Sequence, residues 1–205
     1  MKRLITILTV VMTLGGHLFA QRNAQVTKTY KVDSFQSIEL NAVGTIYLTQ
    51  SDTYSLKIEG EEGEVNKLQI KQSNEKLTIQ NQDSEKQFKK NKENMLTIHL
   101  TTPQLKSLDF NGVGKLEFLN QWTLEQFKIN FTGVGVLEIK KLKCQALDVN
   151  ITGVGKGDVC VECEKLKASV DGIGGLTLSG KAKNASLSKS NFLGFLNTDK
   201  LKVEE

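Results

Sequence analysis

Residues 111–118 read NGVGKLEF, residues 132–139 read TGVGVLEI, and residues 152–159 read TGVGKGDV. A fourth copy, DGIGGLTL, spans 171–178. Looser copies stand on either side, LNAVGTIYL at 40–48 and SNFLGFLN at 190–197. The second glycines of the four clear copies are Gly114, Gly135, Gly155 and Gly174, separated by 21, 20 and 19 residues. A period near 20 predicts that successive copies stack as equivalent structural units.

Aligning the copies on that glycine gives columns. Six residues before it stand Leu108, Ile129, Val149 and Ala168; four before stand Phe110, Phe131, Ile151 and Val170. Four after it stand Phe118, Ile139, Val159 and Leu178. Side chains alternate across a strand, so these even positions form one apolar face. The fold expected is all-β: a right-handed parallel β-helix, a solenoid of ~20-residue coils spaced at ~4.8 Å. Gly112, Gly114, Gly133, Gly135, Gly153, Gly155, Gly172 and Gly174 are expected at its structural corner. There a positive φ or a cramped approach excludes a Cβ. A phosphate loop needs a helix after its glycines, and strands follow here. The nine-residue calcium repeat has the wrong period.

The chain opens MKRLITILTVVMTLGGHLFAQ. A basic start, an apolar run and Leu18-Phe19-Ala20 predict a signal peptide over 1–20, cleaved after Ala20. The expected product is an exported protein, periplasmic, cell-surface or secreted, with no transmembrane segment in its mature part. Residues 21–205 are expected to form one domain. Its regular coils run over 103–205 and its less regular β region over 21–102, where strands such as YSLKIEG and MLTIHL alternate without the glycine phrase. The segment DSEKQFKKNKEN, 83–94, reads as a surface loop. The net charge is +4, and Lys2 and Arg3 of the leader carry two of those charges. Arg22 is the only other arginine. That balance implies no nucleic-acid partner and disfavours a dedicated anion pocket built on guanidinium forks.

Outward columns are where recognition can sit. Five residues before the second glycine stand Asp109, Asn130, Asn150 and Ser169; three before stand Asn111, Thr132, Thr152 and Asp171. Together they form a polar strip, read either as a hydrogen-bonded ladder or as a shallow binding face. Three after the glycine stand Glu117, Glu138, Asp158 and Thr177, with Lys115, Lys140 and Lys156 placed to screen them. Screening by lysine is preferred to a bound cation, so no metal and no cofactor are expected. Cys144 and Cys163 occupy equivalent positions of successive coils and are expected to form a disulfide, leaving Cys160 free.

The glycine phrases, with FQSIELNAVGTIYLTQSDTYSLKIEG and PQLKSLDFNGVG before them, resemble the head GIN domain family of auto-transporter adhesins. The likeness runs from about Phe35 to Leu178. It implies an exported β-helix of the Bacteroidetes type and supplies no catalytic residues. The function expected is a non-catalytic binding module, an adhesin contacting a glycan, matrix or envelope partner through a face of the stack. The alternative is a lyase or hydrolase acting on polysaccharides. It needs a positioned acid and base. The chain past the leader offers one histidine, His99, and carboxylates such as Glu117 and Glu138 that read better as surface columns.

Overall fold

The structure is a computed structural model describing residues 24–81, 95–190 and 193–204, together with the backbone of Ile7–Leu8. Apart from those two residues, the expected signal peptide lies outside the described residues, as does the whole of the expected 83–94 loop. The strands are β1 (Ile7–Leu8), β2 (Gln25–Tyr30), β3 (Ser37–Gln50), β4 (Ser55–Glu61), β5 (Leu68–Ser73), β6 (Lys76–Asn81), β7 (Leu96–Thr102), β8 (Ser107–Phe118), β9 (Trp122–Thr123), β10 (Gln126–Lys189) and β11 (Gly194–Val203). One short helix, α1 (Glu62–Asn66), follows β4.

These strands join in a single open sheet of order β1-β2-β4-β7-β3-β8-β10-β11, with β5, β6 and β9 branching from it. The sheet is mixed. β1/β2, β2/β4, β4/β7 and β5/β6 are antiparallel; β3 pairs parallel with β6, β7 and β8, and β10 with β8, β9 and β11. The expected right-handed parallel β-helix is therefore corrected to an open mixed sheet. A β-helix needs each strand parallel to the next, and residues 25–102 break that rule by doubling back. The reversal between β5 and β6 turns on Asn74 and Glu75, whose φ values are +50° and +58°. Two consecutive left-handed residues make the tight turn that joins antiparallel strands.

Within the glycine phrases the alternation does what its pattern predicts. Ile38, Leu40, Ile46 and Leu48 of β3, Leu108, Phe110, Leu116 and Phe118 of β8, and Ile129, Phe131, Leu137 and Ile139 of β10 are all buried. The copies lie in register. Gly112 and Gly114 pair with Gly133 and Gly135, and Gly174 pairs with Gly194. Phe110 stacks on Phe131 with ring centroids 4.8 Å apart, and Phe118 packs edge-on against Trp122 and Phe127. Inward positions thus fill one continuous core. Odd positions of the same strands face out.

The glycine columns lie inside continuous strands, and Gly114, Gly133, Gly135, Gly153, Gly172 and Gly174 have positive φ. At Gly133 φ is +125°, and an added Cβ would stand 2.0 Å from the carbonyl oxygen of Gly112 on the neighbouring strand. The crowding comes from backbone against backbone, not from an overfilled core.

Candidate binding face

The outward positions of β8 and β10 form parallel columns across the strands, and the polar strip divides into two of them. In the first, Asn130 Nδ2 donates to Asp109 Oδ1 at 2.6 Å, Asn150 Nδ2 donates to Asn130 Oδ1 at 3.0 Å, and Ser169 Oγ donates to Asn150 Oδ1 at 2.5 Å. Asn150 Nδ2 also reaches Asp148 Oδ1 at 3.0 Å. These half-buried side chains spend their hydrogen-bonding capacity on one another. The column is a ladder that ties strand to strand.

In the second column, Asn111, Thr132, Thr152 and Asp171 are exposed. Two residues further along the same strands, Val134, Val154 and Ile173 are 46%, 47% and 52% exposed. Short hydrogen-bonding side chains therefore run beside a row of β-branched apolar ones. Both rows sit on backbone that the glycine pairing holds in register. An aligned row of exposed apolar side chains is a candidate contact face.

Beyond the apolar row lies an ion network. Lys115 Nζ stands 2.6 Å from Glu117 and 2.8 Å from Glu138; Lys140 Nζ stands 3.0 Å and 3.6 Å from the same two carboxylates. The screening expected of Lys115 and Lys140 is present. Hydrogen bonds from the two lysines hold the buried Glu117 carboxyl below the ordinary carboxylate range. A carboxyl held ionised is a poor general acid. His99 stacks on Tyr47 at 5.3 Å and lies 3.9 Å from Glu59. Burial and the nearby Lys57 hold its imidazole below the ordinary range. Among the described residues, no group of three His, Cys, Asp or Glu is placed to hold a metal ion.

The network makes a pH prediction. Glu117 has a lowered pKa in the folded state, so its stabilisation is present above the unfolded carboxyl pKa, ~4.3, and is lost as pH falls through the folded value. Glu117→Gln should cost about 1 kcal/mol at pH 7 and flatten the decline in stability below about pH 4. Urea denaturation of both proteins from pH 7 down to pH 3 measures this. An acid limb of unchanged steepness in the variant would remove Glu117 from it.

Cys144 and Cys163 do come together across strands, but all three cysteines are free thiols. The expected Cys144–Cys163 disulfide is not formed in this structure. The neighbouring Cys163 thiol, with burial, pushes the Cys144 thiol far up, so it stays protonated. The Cys144 thiol in turn pulls Cys163 down.

One set of outward residues escaped the sequence reading. Seven residues before the second glycine stand Ser107, Lys128, Asp148 and Lys167, and nine before stand Leu105, Gln126, Ala146 and Lys165. Extending the alignment by two columns would have found them. All but Ser107 and the buried Leu105 line an open trough of about 810 Å³ beside the ladder.

The fold and its outward columns define an all-β sheet protein whose distinctive chemistry lies on an open face. The chain belongs to the family described as "Putative auto-transporter adhesin, head GIN domain", which matches residues 34–205. A comparison with curated proteins finds no match. Three solved structures share the fold. A "putative lipid binding protein" from Parabacteroides distasonis has a TM-score of 0.74 at 20% identity, over 87% of this chain and 75% of that one. A "putative adhesin" from the same organism has a TM-score of 0.70 at 19% identity, over 88% and 76%. A "putative adhesin" from Bacteroides fragilis has a TM-score of 0.59 at 22% identity, over 86% and 97%. Among the described residues no helix is long and apolar enough to cross a membrane.

Proposed function

We propose that this chain is an exported, non-catalytic recognition module that contacts a glycan, matrix or envelope partner through the outward face of β8 and β10. The observation that carries the reading is the exposed row of Val134, Val154 and Ile173 beside Thr132, Thr152 and Asp171. Its apolar row suits the C–H faces of sugars or a partner's apolar side chains. Its hydroxyl, amide and carboxylate groups suit hydroxyls and backbone amides. Membership of an adhesin family supports the same reading. The carboxylates offered for hydrolysis are held by lysines, which supports binding over turnover.

The test is binding of the purified protein to a panel of glycans, peptidoglycan fragments and matrix proteins. Saturable binding to at least one member is expected, without release of reducing or unsaturated ends. A protein that leaves the whole panel unbound, or that cleaves a polysaccharide on it, is not this module.

A further inference from the structure

The trough beside the ladder differs in charge from the hollow next to it. Lys106, Lys128, Lys165 and Lys167 line it, against Glu125 and Asp148. Lys167 stands 3.9 Å from Asp148. The ammonium groups of Lys106, Lys128 and Lys165 have no ion-pair partner among the described residues. The adjoining hollow behaves otherwise. There Lys143 pairs with Glu162 at 3.1 Å and Lys183 with Glu164 at 2.9 Å. The trough therefore carries an excess of cationic groups, whereas its neighbour carries more carboxylates than lysines.

The remaining lining narrows the class of ligand. Phe127, Leu147 and Leu166 at its floor are buried, so no aromatic face is open to a nucleobase. Gln126, Asn184 and Ser186 are exposed and supply uncharged donors and acceptors. The trough spans successive strands, and a sugar ring advances along a polysaccharide by nearly one strand spacing, ~4.8 Å.

We propose that this trough binds an acidic polysaccharide, with Lys106, Lys128 and Lys165 meeting uronate carboxylates and the amide and hydroxyl side chains meeting sugar hydroxyls. The proposal rests on the adhesin reading above and adds to it a second surface and a charge requirement. Exposed lysines act here as point charges, so the binding weakens with salt.

The experiment titrates fluorescent oligogalacturonate into the purified protein at low and high salt, with its methyl ester as the uncharged counterpart. Lys106→Gln/Lys128→Gln/Lys165→Gln and Lys143→Gln/Lys183→Gln are measured beside it, each checked by circular dichroism. Affinity should fall about tenfold in the triple variant, the combined effect of three surface ion pairs, and stay unchanged in the double variant. The methyl ester should bind at least as weakly as the acid binds the triple variant. Absent binding, equal binding of the ester, equal binding by the triple variant, or equally tight binding of poly-glutamate each overturns the proposal. Binding elsewhere on the panel with none to oligogalacturonate overturns the trough and leaves the adhesin reading standing. No binding to any panel member overturns both.

Discussion

Gly133→Ala is expected to cost about 3–5 kcal/mol, enough to leave most of the chain unfolded or insoluble at 37 °C. Two effects add. The backbone at Gly133 has φ +125°, where an L side chain is strained. The new methyl would also stand 2.0 Å from the Gly112 carbonyl oxygen and 3.0 Å from its carbon. Both atoms are backbone of the paired strand β8, since Gly133 lies opposite Gly112. No rotamer relieves that contact, so β8 and β10 must part where the phrases align. Gly63→Ala is the control: nothing lies within 4 Å of its Cβ, and the residue sits in α1, where alanine is the better helix former. Thermal melts should show a fall of roughly 10 °C or more for Gly133→Ala and little change for Gly63→Ala. Equal melting of wild type and Gly133→Ala would mean that the strands do not approach this closely.

Phe131→Ala is expected to cost about 3–5 kcal/mol through lost burial and the cavity left behind. The ring is 1% exposed and stacks on Phe110 at 4.8 Å with a 26° interplanar angle. It belongs to the core that β8 and β10 share, so the gap opens between two strands rather than at an edge. Phe131→Leu should recover more than half of the loss, because a branched aliphatic refills most of the volume. Val134→Ala, three residues on but outward, should stay within about 0.5 kcal/mol. Urea denaturation separates the three. A Phe131→Ala loss no larger than that of Val134→Ala would put Phe131 outside the core.

How much of this was legible follows from what each signal encodes. Period-two alternation encodes which side chains turn inward, and Leu108, Phe110, Ile129 and Phe131 are buried accordingly. The spacing of 21 between Gly114 and Gly135 encodes register, and the two glycines are paired. Neither signal encodes strand direction. Residues 21–102 therefore read only as a less regular β region, either further coils or a cap, and the antiparallel pairs β2/β4 and β4/β7 were not legible in it. The turn at Asn74-Glu75 hid for a related reason. It carries no glycine, and the left-handed conformations fall on Asn and Glu.

The polar strip was legible as a strip but not as two columns. Spacing alone cannot tell a side chain bonded to the next strand from one left free. Hydrogen bonds place Asn130 and Asn150 in the ladder and leave Thr132 and Thr152 exposed. A test of recognition therefore belongs on the threonines. Substituting the asparagines would cut ties between strands and confuse stability with binding.

The most direct test of the recognition face compares the wild type with a Thr132→Lys/Thr152→Lys variant on the panel members that the wild type binds. Both threonines are exposed and outside the ladder, so the variant should fold and melt like the wild type. Two lysines side by side would place bulk and like charge across the column. The account predicts a loss of binding of about tenfold or more with unchanged melting. Undiminished binding by the folded variant would contradict it.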